Sequence, residues 1–130
     1  MPKIIIASGP VIVEDGKVIL NQHGDTEFWK FCGGRVNDGE SLIEAARRRA
    51  KEEIGVELEI LDETPLITYS TKETSEGTAD VILVHYLAKR VGEVKPGADI
   101  RATEWLPLED LPENLAPNIV PALKHFGFIK

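Results

Sequence analysis

Two adjacent carboxylates, Glu52 and Glu53, follow an arginine pair, Arg48 and Arg49, in the stretch GGRVNDGESLIEAARRRAKEEIGV that runs from Gly33 to Val56. Hard divalent ions such as Mg²⁺ take oxygen ligands, commonly one or two carboxylates with water and substrate phosphates completing the shell. On a helix each residue advances about 100°. Arg49, Glu52 and Glu53 then share one flank of the apolar stripe formed by Ile43, Ala46, Ala50 and Ile54, while Glu44, Arg47, Arg48 and Lys51 take the other. Two carboxylates on a shared flank are a candidate metal site, and Gly33 and Gly34 ahead of them allow a close backbone approach to a ligand. The same charges suit a solvated helix face, where Glu and Arg at i, i+4 are ordinary partners.

The elements that must position these groups are legible around them. Ser41 with Glu44 makes a capping box at the start of the helix, and Gly55 stops it. Lys3 to Val13 is rich in β-branched residues and is followed by the turn Glu14-Asp15-Gly16-Lys17 and by Val18-Ile19-Leu20, which together predict a hairpin. After a polar loop, Phe28 to Phe31 forms a short strand leading into the glycine pair. Val56 to Ile60, Leu66 to Thr71, Asp80 to Lys89 and Arg101 to Leu106 are expected as strands, with Lys72 to Thr78 and Gly92 to Gly97 as polar loops. A last helix is expected over Ile119 to Phe126. With no internal repeat, low-complexity tract or linker, the pattern predicts a mixed sheet covered by helices.

The order of residues in the box resembles the signature of the Nudix hydrolases, Gly-x5-Glu-x7-Arg-Glu-U-x-Glu-Glu-x-Gly-U, where U is a bulky aliphatic. Gly34, Glu40, Arg48, Glu52, Glu53, Gly55 and Val56 fall in register. Ala50 is smaller than the usual aliphatic. Arg49 stands where the pattern has its first helical Glu. The resemblance extends to both sides: ASGPVIVEDGKVIL is similar to the family's first hairpin and EWLPLEDL to its late strand and turn. FWKFCGG resembles the usual Trp-x-x-Pro-Gly-Gly, with Cys32 in place of proline.

The resemblance implies an α/β fold, a single Nudix-like α/β/α sandwich over residues 1–130, and hydrolysis of a nucleoside diphosphate linked to a further moiety, with divalent metal held by the box helix. Carried over by position, it makes Glu52, Glu53 and the Gly33 carbonyl the ligands of Mg²⁺, with Mn²⁺ as an alternative. Arg48 would orient the carboxylates, and Glu40 would brace the loop or reach the metal through water. The family often adds an acid from a later loop, for which Asp99 is the first candidate here, ahead of Glu93 and Glu104; a turn with a solvated Asp is the alternative. Asn118 sits where related members place an Asn against a purine edge, an amide being able both to donate and to accept. The more ordinary role of an Asn at that place is a helix cap. Trp29, Phe28 and Tyr69 could stack on a base or pack in the core. Cys32 is expected to be a buried inert thiol, and His23, His85 and His125 show no ligand spacing.

A formal charge of −7 over 130 residues argues against a stable nucleic-acid complex or an anionic-membrane surface, since no basic face would neutralise phosphates. The partner expected is a small nucleotide. One cysteine allows no intrachain disulfide, and the opening MPKIIIASGP lacks the pattern of a signal peptide, so the cytoplasm is the expected compartment. Two functions of different class remain. One is a Mg²⁺-dependent pyrophosphohydrolase acting on a nucleoside triphosphate or nucleotide sugar. The other is a Nudix-fold nucleotide-binding module in which Arg49 has weakened turnover, by removing a ligand and repelling a second metal ion; Arg49 could instead grip a substrate phosphate and partly substitute for the missing ion.

Overall fold

In the computed structural model, which describes residues 3–24 and 27–130, the chain folds into two β-sheets and two helices. Met1, Pro2 and two residues of the expected polar loop, Asp25 and Thr26, lie outside the described residues. The strands are β1 (Lys3–Val11), β2 (Val13–Glu14), β3 (Lys17–His23), β4 (Gly34–Arg35), β5 (Glu57–Ile60), β6 (Leu66–Thr74), β7 (Gly77–Val91) and β8 (Ile100–Pro107); the helices are α1 (Leu42–Ile54) and α2 (Ile119–His125). The larger sheet runs β4-β1-β7-β5, with β6 also paired to β7; the smaller runs β2-β3-β8. Strand β1 is parallel to β7 and every other pairing is antiparallel, so the expected α/β class with a mixed sheet is present.

The period of two in β-strands divides the interior into two cores. Ile12 and Ile19 point to one side, where Ala46, Ala50 and Ile54 of α1 pack; their neighbours Val11, Val18 and Leu20 point to the other, against Ile119, Ala122 and Leu123 of α2. Two helices on opposite faces of the strands give the α/β/α layering. Helix α1 is specified locally. The Ser41 hydroxyl accepts from the Glu44 amide at 3.1 Å, the Glu44 carboxylate accepts from the Ser41 amide at 3.1 Å, and Gly55 closes the far end in the left-handed region at φ 71°.

Three expectations are corrected. The first hairpin does not join β1 to β3: β2 pairs with β3 through Asp15 and Gly16, while β1 belongs to the other sheet and pairs with β7. Local turn chemistry gave the turn, but the partner of β1 is set by long-range burial. Lys72 to Thr78 is not a loop. Strands β6 and β7 continue through it as a ladder from Leu66↔His85 to Thr74↔Gly77, because an unbroken polar run suits a sheet edge with two wet faces. Phe28 to Phe31 is no regular strand. It makes isolated bridges, Lys30 to Asn21 on one side and Trp29 to Leu115 on the other, and so ties the approach to the glycine pair to the segment before α2.

Candidate active site

Glu53 is the most enclosed charge of the site, only 4% exposed. A buried carboxylate is tolerated when donors surround it, and they do. Its Oε1 accepts from Asn21 Nδ2 at 3.3 Å and from the Gly33 amide at 3.4 Å, with His23 Nε2 also 3.4 Å away. Its Oε2 accepts from Arg49 Nη2. Arg49 Nη1 donates to Glu52 Oε2 at 3.2 Å, so a single guanidinium bridges the acid pair, while Arg49 Nε is buried without a partner among the described residues. The guanidinium lies against Gly34, where a Cβ would collide with it.

Arg48 faces the other way and holds the box loop. Its Nε and Nη2 donate to the two oxygens of Glu40 at 2.7 and 3.1 Å, its Nη1 to Glu52 Oε1 at 2.8 Å and its Nη2 to the Arg35 carbonyl at 2.9 Å. These bonds, first that from Arg48 and then that from the Asn37 amide, hold the Glu40 carboxyl below the usual range. The partnership in turn raises the pKa of Arg48, through Glu40 first and Glu52 second. Gly33 has φ 152°, and a Cβ there would meet the Ser8 carbonyl at 2.9 Å, so only glycine lets the loop lie this close to β1. Burial, followed by the charge of Glu53, pushes the Cys32 thiol well above its usual value; it donates to the Arg49 carbonyl at 3.5 Å and has the character of an inert core thiol.

The loop after β7 is docked on the end of α1. Lys95 N donates to Ile54 O at 2.7 Å and Gly97 N to Glu53 O at 2.9 Å, using helix carbonyls that have no partner within the helix. Gly97 is glycine by necessity, because a Cβ would strike the Glu52 carbonyl. This docking brings Asp99 to a small cleft of about 60 Å³ that it lines with His23, Arg49, Glu52 and Glu53. Neither Glu93 nor Glu104 lines it.

A cavity of about 710 Å³ opens beside the box, with Gly33, Gly34 and Arg35 in its wall. Asn118 lines this cavity and not the carboxylate cleft. Its side chain makes no capping hydrogen bond, so the helix-cap alternative is not what the structure has. Tyr69 lines the cavity with its hydroxyl donating to Asp80 Oδ1 at 2.7 Å, whereas Trp29 packs against the core beneath α2. His23, to which the sequence assigns nothing, lines both spaces and stands at their junction. Asn21 and its partner Thr103 are further residues of the site that motif spacing misses. The signal for Asn21 was an amide at an alternating position of β3 that otherwise calls for an apolar residue.

The donor chemistry fits a cation at the acid pair. Oxygens of Glu52 and Glu53 already converge on one positive group, the Arg49 guanidinium. No group of three or more His, Cys, Asp or Glu ligands gathers among the described residues. An ion here would draw its remaining ligands from backbone, water and substrate, as Mg²⁺ commonly does, and would compete with Arg49 for the same oxygens.

A family model described as NUDIX domain matches residues 3–126. The nucleoside triphosphatase NudI of Escherichia coli (strain SE11) is 33% identical over 117 residues, covering 78% of this chain and 81% of its own. Nudix hydrolase 10 of Arabidopsis thaliana is 30% identical over 107 residues, covering 75% of this chain and 38% of its own. Among solved structures, the MutT NUDIX hydrolase from Burkholderia pseudomallei aligns with a TM-score of 0.77 at 25% identity, over 94% of this chain and 97% of that one. Enzymes of this kind use divalent metal ions and act on small nucleotides. The capped box helix, its carboxylate pair and these likenesses agree: the chain belongs to the NUDIX family and is a pyrophosphohydrolase.

Proposed function

We propose that the chain hydrolyses a pyrophosphate linkage of a nucleoside diphosphate derivative, a nucleoside triphosphate or a nucleotide sugar, in a Mg²⁺-dependent reaction with water as nucleophile. The observation that carries this reading is the sign of the charge in the large cavity. In a chain of net charge −7, the described residues lining it include Lys30, Arg35 and Lys72 and no Asp or Glu. Apolar side chains, including Phe31, Leu83 and Pro117, line it together with hydroxyl, amide and imidazole groups. A volume of about 710 Å³ with apolar walls and cationic groups suits a base and sugar carrying phosphates. The likeness to a nucleoside triphosphatase favours a triphosphate.

In this reading Glu52, Glu53 and the Gly33 carbonyl hold Mg²⁺, with Mn²⁺ as an alternative. The ion supplies charge neutralisation at the phosphates and a lowered pKa for a bound water. Arg48 keeps Glu52 in place, and Glu40 keeps Arg48. Asp99, in the cleft beside the acid pair, or Glu40 accepts the proton of the attacking water. Asn118 faces the base. The single cysteine, buried and free, agrees with the cytoplasm as the compartment. Among the described residues no helix is long and apolar enough to cross a membrane.

The test is a screen of nucleoside triphosphates, nucleotide sugars and dinucleotides for release of phosphate, pyrophosphate or nucleoside monophosphate, with Mg²⁺ and with chelator. Mg²⁺-dependent turnover of a triphosphate or nucleotide sugar is expected, and Glu53→Gln should lower it at least a hundredfold while metal affinity falls. Turnover that survives this substitution at the parent rate would refute the placement of the site. The bridging of both acids by Arg49 favours a second reading, a nucleotide-binding module with weakened turnover. Micromolar nucleotide binding with no product under any metal would establish it.

A further inference from the structure

The two oxygens of Glu53 are treated differently by the fold. Oε2 faces Arg49, whereas Oε1 is held by the amide of Asn21, a residue of β3 that is 1% exposed and reaches across from the smaller sheet. Asn21 lies on the same side of β3 as Ile19, in a position that an aliphatic residue would fill with less desolvation cost. Both ends of its amide are engaged. Thr103, its direct partner in the β3–β8 register, donates from Oγ1 to Asn21 Oδ1 at 2.9 Å, and Nδ2 is left to donate to Glu53 Oε1 at 3.3 Å. The carboxylate, which can only accept, decides which end of the amide meets it, because the opposite rotamer would put an oxygen against Glu53, and the threonine hydroxyl, able to donate or accept, supports that orientation by donating to the oxygen at the other end. The main chain of Asn21 is fixed as well, exchanging hydrogen bonds of 2.8 Å with Lys30 in both directions.

We infer that Asn21 and Thr103 are positioning residues for Glu53: the hydrogen-bonded chain from Thr103 through Asn21 to Glu53 sets the rotamer of the carboxylate that the box helix offers to the metal. Neither residue touches the ion or the substrate. An aspartate at position 21 would repel Glu53 and an aliphatic residue would leave Oε1 with less support, so the amide is the side chain this geometry requires. Residues that hydrogen-bond a ligating carboxylate from behind orient it and tune its affinity, and their loss typically costs metal affinity or activity roughly 10- to 100-fold. The inference rests on the reading of Glu53 as a metal ligand.

The test uses Thr103→Val, close to isosteric, with Thr103→Ser and Asn21→Leu beside it, each checked by thermal melting. Mn²⁺ binding is measured with no nucleotide present. Thr103→Val should weaken it roughly tenfold, and turnover of the best substrate should fall by a similar factor with KM for the nucleotide unchanged. Thr103→Ser should recover most of the affinity, because it keeps the hydroxyl. In the parent the Asn21 side-chain NH₂ should exchange slowly with solvent in NMR spectra, and in Thr103→Val it should exchange fast. If folded Thr103→Val and Asn21→Leu both bind Mn²⁺ as the parent does, the inference is overturned, as it is if the parent binds no Mn²⁺. A parent that binds Mn²⁺ but hydrolyses no nucleotide refutes the proposed function, and the Mn²⁺ titration of the variants then decides the inference by itself.

Discussion

The Arg49 guanidinium contacts both Glu52 and Glu53, and in the proposed reading it therefore competes with a metal ion for these two carboxylates. Arg49→Glu removes the competitor and adds an oxygen ligand. Divalent-ion affinity and turnover should rise together by roughly tenfold or more, the size expected when a unit charge near a partly exposed ion is reversed, with nucleotide preference unchanged. Without metal, three carboxylates repel one another, so the variant should melt lower than the parent in chelator and gain more from added Mg²⁺. Calorimetry with and without Mg²⁺ checks both, and an affinity equal to the parent's would show that Arg49 does not compete. At Asn118 there is no cap to lose. Asn118→Ala should leave the melting temperature close to the parent's while weakening purine nucleotides more than pyrimidine ones, read as the ratio of their KM values. Arg49 and the acids were legible in the sequence because a helix turns contiguous residues into fixed neighbours. Asn21, Thr103 and His23 were not, since their relation to Glu53 exists only once two sheets and a helix have packed.

Among the elements, α1 was legible to its ends because both caps are written locally, in Ser41 with Glu44 and in Gly55. The β6–β7 ladder beyond Thr71 is not legible in the sequence, because a strand with two polar faces carries no alternation to detect. The pairing of β1 was missed because it depends on residues far along the chain. Strand β7, central in its sheet, carries a consequence for pH. Burial pushes the imidazole of His85 down from 6.5 to about 4, and its Nε2 lies 3.2 Å from Thr68 Oγ1. The unfolded chain binds a proton at His85 as pH falls through 6.5, while the folded chain does not until pH nears 4. Between those values the unfolded state holds more protons, so stability falls as pH falls, by up to about 1.4 kcal/mol per unit from this group. Denaturant titrations at pH 7 and pH 5 should show a smaller loss in His85→Gln than in the parent, and equal losses would contradict the assignment.

For the whole molecule, charge is partitioned against the average: a net charge of −7 surrounds a cavity whose described lining is cationic. Lys72, on the β6 extension expected as a loop, contributes to that field at the cavity wall. Lys72→Glu should raise KM for a nucleotide roughly two- to fivefold at low ionic strength, as exposed charge pairs do, and less in high salt because exposed charges are screened. A salt-independent change would point to a direct contact instead. The parallel pairing of β1 with β7, from Lys3↔Ala79 to Val11↔Leu87, also bears on how the molecule comes into being. Helix α1 can form from its own caps early in synthesis, but the first strand, with its run Ile4-Ile5-Ile6, has only the two-residue β4 beside it until β7 has left the ribosome. Through that interval the edge of a hydrophobic strand that β7 will cover is open to pairing with other nascent chains. The demand on chaperones should therefore fall on β1, far in sequence from Glu52 and Glu53.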